Sequence, residues 1–277
     1  MKSGHRITLL AALWILVLWL PSVVAQENEP EETQPAGQVL ELIPEVISVR
    51  SHDTSAFTQG FLLYEGTLYE STGQYGRSTL RQVDPETGEV LRMVPVPDEF
   101  FAEGLVRVGN RLIQLTWTSE QAFVYDLETF EQIDTLSYDG EGWGLCSDGD
   151  FLYMSDGSPF LSLRHLETFE LIFREIVLFQ DSPVNRLNEL ECVGDYIYAN
   201  VWQTDFIVQI RKNTGMITAV IDASGLLTPD EIAQMGTQDV LNGIAYNAET
   251  DTFLITGKNW PKMFEVRFVQ RETAATE

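Results

Sequence analysis

Short runs in which apolar and polar residues alternate recur along most of the chain, and they predict β-strands. Residues 196–202 and 206–210 are examples, rich in β-branched and aromatic side chains. Within one stretch, four such runs follow one another at 104–108, 112–117, 122–125 and 132–136. The pattern therefore predicts an all-β protein built from four-stranded units.

Five segments of the chain open alike, with a polar or aromatic residue, then a small or polar one, then an apolar one. They are Gln59-Gly60-Phe61, Glu103-Gly104-Leu105, Trp143-Gly144-Leu145, Asn188-Glu189-Leu190 and Asn242-Gly243-Ile244. The spacings between successive openings are 44, 40, 45 and 54 residues. Repeats near 40 residues that hold four strands each are typical of β-propellers. The sequence thus predicts a five-bladed β-propeller, with a short helical excursion at 224–239 that lengthens the last spacing.

The first and last strands of this architecture are expected to complete each other. The fifth repeat has only three strand runs, of which the last is 264–268, while 46–50 is a strand run left over before the first repeat. An N-terminal strand that joins the last blade would close the ring and leave no sheet edge free for aggregation.

The ends of the chain predict processing and export. Lys2 and Arg6 precede an apolar run at 7–20, and the small residues before position 26 fit a signal peptidase site. An uncleaved membrane anchor is the alternative, but fourteen apolar residues fall short of the roughly 20 that a spanning helix needs. We expect a secreted or periplasmic protein without stable membrane association after cleavage. The predicted parts are a signal peptide at 1–25, a disordered acidic leader at 26–45, the propeller at 46–268 and a polar C-terminal tail at 269–277.

Composition narrows the classes of partner. The chain has 17 Lys and Arg against 42 Asp and Glu, a net charge of −25. Such a surface repels nucleic acid and favours a soluble protein, which we expect to be a monomer.

Cys146 and Cys192 both lie among apolar residues, which favours two buried thiols, with a single disulfide as the alternative. His52 and His165 are isolated in sequence, so a zinc site built on His is not expected.

Propeller geometry predicts where the chemistry lies. The first strand of each blade lines the central channel, and the hairpin to the second strand returns to the face where the blade began. First-strand starts and second-strand ends therefore share one mouth, which makes a small-molecule site there plausible. For any single Trp, packing between blades is the alternative explanation. The ten positions are Gln59, Glu103, Trp143, Asn188 and Asn242 from first strands, and Thr72, Trp117, Asp156, Trp202 and Lys258 from second strands.

Several motifs resemble one family along its whole domain. Phe57-Thr-Gln-Gly60, Phe101-Ala-Glu-Gly104, Gly140-Glu-Gly-Trp-Gly144, Leu187-Asn-Glu-Leu190 and Gly257-Lys-Asn-Trp-Pro-Lys262 resemble the plant-type and bacterial glutaminyl-peptide cyclotransferases. The resemblance runs from about His52 to Val266. Ala102 departs from the family, which commonly has Gly before the acid, and this is expected to be tolerated unless the backbone needs a positive φ.

This resemblance implies a five-bladed propeller that cyclises the N-terminal glutamine of peptides or proteins to pyroglutamate and releases ammonia, without a metal or other cofactor. It implies that Glu103 is the catalytic acid. Enclosure by aromatic rings should raise the pKa of this carboxyl group, so that it can act as a proton shuttle. Lys258 or an indole N–H would stabilise the oxyanion, and Gln59 and Asn188 would hold the amide. The implied substrate-binding residues are Phe57, Gln59, Phe101, Trp117, Trp143, Asn188, Trp202 and Lys258.

Two other functions stay open on the residues alone. A calcium-dependent, lactonase-type propeller is one, because Glu103, Asn188, Asn242 and Asp156 offer oxygen ligands for a hard cation. A non-catalytic binding propeller is the other. Glu70, on a second strand but away from its end, is expected to pack or hydrogen-bond rather than to catalyse.

Overall fold

Residues 39–271 are described by a computed structural model, and nearly all their regular structure is β. Within this range no helix has the length and apolar character needed to cross a membrane. The elements in chain order are β1 (Leu40–Ser51), β2 (Thr58–Tyr64), β3 (Thr67–Thr72), β4 (Thr79–Val83), β5 (Val90–Pro95), β6 (Ala102–Val108), β7 (Arg111–Thr116), β8 (Gln121–Asp126), β9 (Gln132–Ser137), β10 (Leu145–Ser147), β11 (Phe151–Ser155), β12 (Phe160–His165), β13 (Leu171–Ile176), β14 (Leu178–Phe179), β15 (Ser182–Pro183), β16 (Leu187–Val193), β17 (Tyr196–Val201), β18 (Phe206–Arg211), β19 (Ile217–Asp222), α1 (Pro229–Ile232), β20 (Leu241–Asn247), β21 (Thr252–Gly257) and β22 (Lys262–Gln270).

Most of the strands form antiparallel sheets in which neighbours along the chain pair with each other. β2 to β5, β6 to β9 and β10 to β13 are three four-stranded sheets, and a larger sheet has the order β16-β17-β18-β19-β1-β22-β21-β20. The all-β prediction is confirmed. The four strands predicted in the second repeat match β6 to β9 to within two residues at each boundary.

β1 joins the two halves of the eight-stranded sheet. It pairs antiparallel with β22 from Leu42 to Ser51, which is the pairing predicted for 46–50. Its first residues, Leu40–Leu42, also pair in parallel with β19. Placing the end of a disordered leader at residue 45 was therefore wrong, because this strand begins at Leu40 and the Leu42 side chain is buried in the core.

The chain ends differ from prediction in one further respect. β22 continues to Gln270, past the boundary predicted at 268. The predicted signal peptide at 1–25, the leader up to residue 38 and residues 272–277 of the tail lie outside the described residues.

Apolar side chains fill the spaces between neighbouring sheets. Val106 and Leu115 of one sheet, for example, pack in the same cluster as Leu152 and Met154 of the next. Each of the five core clusters found in residues 39–271 combines side chains from neighbouring sheets or from the two halves of the eight-stranded sheet. Burial of these clusters stabilises the packing of sheet against sheet.

The innermost strands approach one another closely enough to require glycine. β2, β6, β10, β16 and β20 contact each other in this order, and β20 contacts β2. The Gly104 N–H donates to the Trp143 carbonyl at 2.6 Å, and a Cβ on Gly144 would lie 2.0 Å from the Asn188 carbonyl oxygen. No side chain fits in these contacts.

In the fourth repeat a glutamate takes the place of this glycine. The Glu189 carboxylate accepts hydrogen bonds from the backbone N–H groups of Phe61 at 3.2 Å and Ile244 at 2.8 Å. These two donors lie on β2 and β20, so one buried side chain links three of the five innermost strands.

Cys146 and Cys192 form a disulfide, so the preference for two buried thiols was wrong. Cys146 lies on β10 and Cys192 on β16, neighbouring first strands whose packing brings the two Cα atoms 5.5 Å apart, within bonding range. The two cysteines follow their repeat openings at different distances, three and four residues, so repeat alignment alone does not place them opposite each other.

Candidate active site

A cavity of about 350 Å³ opens where the first strands begin and the second strands end. It brings together all nine residues that were predicted to form the site, and one that was not, Gln238. The lining residues are Phe57, Gln59, Phe101, Glu103, Trp117, Trp143, Asn188, Trp202, Gln238 and Lys258.

Irregular strand pairing aims the first-strand residues into this cavity. The register of β2 with β3 shifts between Thr58 and Gly60, that of β6 with β7 between Ala102 and Leu105, and that of β16 with β17 between Leu187 and Leu190. Gln59, Glu103 and Asn188 lie within these shifts. Bulges commonly re-aim side chains next to active sites.

The second-strand residues reach the cavity by a shared backbone contact. Trp117, Trp202 and Lys258 each follow directly after β7, β17 and β21. In each case the backbone N–H donates to the carbonyl of the residue two positions before the opening of a repeat. Trp117 donates to Phe101 at 2.9 Å, and Lys258 donates to Val240 at 2.9 Å. The repeat geometry therefore fixes both halves of the site.

The cavity is graded by depth. Its floor is polar and buried, with Glu103 4 %, Gln59 3 %, Asn188 2 % and Lys258 3 % exposed. Phe57 is buried beside them. Four half-buried rings, Phe101, Trp117, Trp143 and Trp202, form the walls, and Gln238 is exposed at the rim.

The aromatic walls pack edge to face. Trp143 and Trp202 meet with ring centroids 5.5 Å apart, and Phe101 contacts Trp117 at 5.8 Å and Phe57 at 6.1 Å. Such pairs stabilise a fixed arrangement beyond the area they bury. The Nζ atom of Lys258 lies 4.8 Å from the centre of the Phe57 ring, so a cation is also held against the cage.

Glu103 and Lys258 are unusual in their electrostatic setting. Burial raises the pKa of the Glu103 carboxyl well above its ordinary value, an effect that positive Lys258 opposes and the Glu141 carboxylate strengthens. Burial lowers the pKa of Lys258 to about 8, against the opposing effect of Glu103. Neither side chain has a hydrogen-bond or ion-pair partner in the part of the chain that the structure describes. Burial thus disfavours the charged form of both groups, and both face the cavity, a combination typical of functional sites.

Two amides complete the floor in defined orientations. Asn242 Nδ2 donates to Gln59 Oε1 at 3.2 Å and to the Thr58 carbonyl at 2.9 Å. With its oxygen engaged, Gln59 presents its NH₂ group as a donor. Asn188 Oδ1 is buried without a partner within residues 39–271, which leaves it available as an acceptor.

Glu141 holds two walls of the cage. Its Oε2 atom accepts the indole N–H of Trp117 at 2.7 Å and that of Trp143 at 2.9 Å. These two N–H groups are therefore already engaged, whereas that of Trp202 has no partner among the described residues. Trp202 is the indole that remains able to donate into the cavity.

Comparison with known proteins gives one consistent result. The sequence model described as "Glutamine cyclotransferase" matches residues 15–268. The chain belongs to the glutamine cyclotransferase family.

Two proteins similar to this cyclotransferase-family chain support the assignment. A glutaminyl-peptide cyclotransferase of Arabidopsis thaliana is 38% identical over 231 residues, which cover 82% of this chain and 71% of that protein. The crystal structure of Myxococcus xanthus glutaminyl cyclase superposes with a TM-score of 0.79 at 37% identity, covering 85% of this chain and all of that one. The resemblance found in the sequence motifs is confirmed.

Three of the ten predicted mouth positions do not line the cavity of this cyclotransferase. Thr72 is the last residue of β3 and hydrogen-bonds Thr79 at 2.6 Å within the sheet. The residue after it, Gly73, occupies the position that Trp117 has in the next repeat, because its N–H donates to the Phe57 carbonyl as that of Trp117 donates to Phe101. Asp156 pairs with Arg174 in a neighbouring cavity. Asn242 lies behind Gln59.

Sequence reasoning missed two residues near the cyclotransferase cavity. Glu141 belongs to the quoted 140–144 motif, but nothing in the sequence shows that two indoles converge on it. Gln238 belongs to the excursion at 224–239, outside any repeat register. That excursion was correctly predicted to be partly helical, with α1 capped by Thr228.

Proposed function

We propose that this protein cyclises the N-terminal glutamine of peptides and proteins to pyroglutamate and releases ammonia, with Glu103 as the proton shuttle. The names of the two similar proteins support the reaction. The observation that carries the proposal is the Glu103 carboxyl group, buried, without a partner in residues 39–271, and facing an aromatic cavity beside Lys258.

The first step is a proton transfer to Glu103. An α-amino group has a pKa of about 7.7–8.0, so much of it is protonated at neutral pH and unable to attack. Ionised Glu103 accepts one proton, and the amine nitrogen attacks the side-chain amide carbon. A five-membered ring with a tetrahedral carbon and an oxyanion results.

The second step uses the same proton. Glu103 donates it to the amide nitrogen, the carbon–nitrogen bond breaks, and the oxyanion becomes the lactam carbonyl. Glu103 is then ionised again and accepts the second, remaining extra proton from the ring nitrogen. It passes this proton to ammonia, which leaves as ammonium. A carboxyl whose pKa is raised by burial serves both directions of transfer better than a free one.

The remaining cavity residues hold the substrate and its charge. The Gln59 NH₂ group, Lys258 and the Trp202 indole N–H are the free donors for the amide oxygen and the oxyanion it becomes. Asn188 Oδ1 accepts from the substrate amine or amide. The aromatic walls fold the glutamine side chain back onto its amine, which favours the near-attack geometry.

We infer that the fold is a five-bladed propeller. The sheets support this count. Three of them have four strands each, and the eight-stranded sheet divides into two sets of four, β16 to β19 and β20 to β22 with β1. The cyclic contacts of the five innermost strands support it as well.

We also propose a monomer that is exported by its signal peptide at 1–25. The Cys146–Cys192 disulfide supports a secreted or periplasmic location, because disulfides are rare in reducing compartments.

Incubation of the purified protein with a glutamine-initiated dipeptide tests the reaction. We expect stoichiometric ammonia and a product lighter by one ammonia. The matched asparagine-initiated dipeptide should not react, because its ring would have four members. No ammonia from the glutamine dipeptide would reject the proposal.

EDTA in the same assay tests the calcium-dependent hydrolase. Of the four oxygen ligands considered for it, only Glu103 and Asn188 line the cavity, and Lys258 places a positive charge beside them. We expect turnover to persist in EDTA. Loss of turnover that added Ca²⁺ restores would favour the hydrolase mechanism instead.

A further inference from the structure

Gln238 differs from every other residue that lines the cavity. It is the exposed member of the set, and it belongs to the segment between β19 and β20 rather than to a repeat position. Its side-chain amide has no hydrogen-bond partner among residues 39–271. An unpartnered amide at the rim is available to a ligand.

The segment that carries Gln238 is anchored to the loop that carries Lys258. The Asp239 carboxylate accepts from Asn259 Nδ2 at 2.7 Å, and the Asp239 carbonyl accepts from the Trp260 indole at 3.0 Å. An ion pair of 2.5 Å joins Glu231 to Lys262. Gln238 is therefore held beside the active site instead of projecting freely from the surface.

The depth of the cavity fixes the direction in which a peptide leaves it. The reacting atoms of an N-terminal glutamine must reach Glu103 at the buried floor. The main chain that follows then passes between the aromatic walls toward the rim, where Gln238 lies. A primary amide both donates and accepts hydrogen bonds, as a peptide group does, and it recognises main chain without selecting a side chain.

We propose that Gln238 donates a hydrogen bond to the main-chain carbonyl of the residue that follows the N-terminal glutamine. The inference rests on the proposed cyclotransferase function. It assigns a subsite for the second residue, which favours peptides over substrates that end at glutamine and tolerates many second residues.

The kinetics of Gln238→Ala on two substrates test the subsite. Gln-Gly-Gly has a second residue, and glutamine amide does not. For the tripeptide we expect KM to rise about 2- to 10-fold with kcat unchanged, the effect of losing one hydrogen bond. For glutamine amide both constants should match the wild type.

Gln234→Ala is the matched control. Gln234 is an exposed glutamine of the same segment that bonds the Asp230 carbonyl and does not line the cavity, so its loss should change neither substrate's constants. Equal losses on both substrates, or no change on the tripeptide, would overturn the subsite. A wild-type protein that releases no ammonia from either substrate would instead overturn the proposed function itself.

Discussion

At the floor of the cavity, the proposed mechanism assigns two proton transfers to a single carboxyl group, which makes Glu103 the most informative residue to change. Glu103→Gln keeps the size of the side chain and removes proton transfer. We expect kcat for a glutamine dipeptide to fall about 10²- to 10⁴-fold, the usual contribution of general acid–base catalysis. Retention of more than about a tenth of the wild-type kcat would rule out this carboxyl as the shuttle.

The stability of the Glu103→Gln variant should not suffer. Because burial raises the pKa of Glu103 in the fold, its contribution to stability is present at low pH and is lost as pH rises through that pKa.

Glu70→Gln is the contrasting variant. Glu70 is buried, pairs with His52 at 2.9 Å and accepts from Thr58 at 2.7 Å, the structural role predicted for it. Breaking that buried pair should cost about 3–5 kcal/mol of unfolding free energy.

The pH dependence of the reaction reports on the neighbours of Glu103. In the proposed mechanism the ionised form starts the reaction, so kcat/KM should fall as pH drops through the raised pKa of Glu103, well above the range of a free carboxyl. Glu141→Gln keeps an acceptor for the two indoles and removes a negative charge that helps to raise this pKa. We expect the acidic limb of the pH profile to move to lower pH.

A control for that shift lies at the opposite end of the molecule. Glu128 is exposed in the turn between β8 and β9, so Glu128→Gln changes the net charge equally without approaching the cavity. Its profile should match the wild type. An unchanged profile for Glu141→Gln, or the same shift in both variants, would contradict an effect of Glu141 on Glu103.

Among the strands, the regular part of the fold follows from the sequence and the irregular part does not. Alternating apolar positions and the repeated openings predicted β6 to β9 and the convergence of Gln59, Glu103 and Lys258. The off-by-one error at Thr72 and the misplaced Asp156 come from strand ends, where local hydrogen bonds and the pairing with Arg174 decide which residue faces the cavity. Alternation carries no information about either.

β1 shows the same limit at its start. Only 46–50 has the expected strand pattern, but Leu40–Leu42 finds a partner in β19, a strand about 180 residues later. Pairing at such a distance depends on the closed arrangement of the sheets. Local sequence does not reveal it.

Truncation tests the role of β1. A protein that starts at Val39 keeps the whole strand and should melt like a protein that starts at Gln26. A protein that starts at Ser51 exposes the edges of β19 and β22 and loses the Arg50–Glu265 ion pair of 2.7 Å, so we expect it to be unfolded. Circular dichroism during heating compares the two, and equal melting temperatures would contradict closure by β1.

Across the whole molecule, two kinds of contact hold the innermost strands together. Backbone contacts at Gly104 and Gly144 join β6, β10 and β16 directly, and the Glu189 carboxylate on β16 accepts backbone N–H groups of β20 and β2. Gln59, Glu103 and Asn188 stand on these same strands. The geometry of the active site therefore depends on the integrity of the ring.

The Cys146–Cys192 disulfide adds a covalent link between β10 and β16 in this ring, and its removal tests how much the whole molecule depends on it. The cysteines are 46 residues apart, and a loop of this length restricts the unfolded chain enough to stabilise the fold by about 2–4 kcal/mol. We expect the double variant Cys146→Ser with Cys192→Ser to unfold at lower urea concentration, with a larger m-value because its unfolded chain is no longer restricted and exposes more surface. Neither cysteine lines the cavity, so kcat well below the melting temperature should stay near that of the wild type. Reduction of the wild type by dithiothreitol should reproduce the shift, whereas the double variant should not respond to it. An equal urea midpoint for the wild type and the double variant would show that sheet packing alone closes the ring.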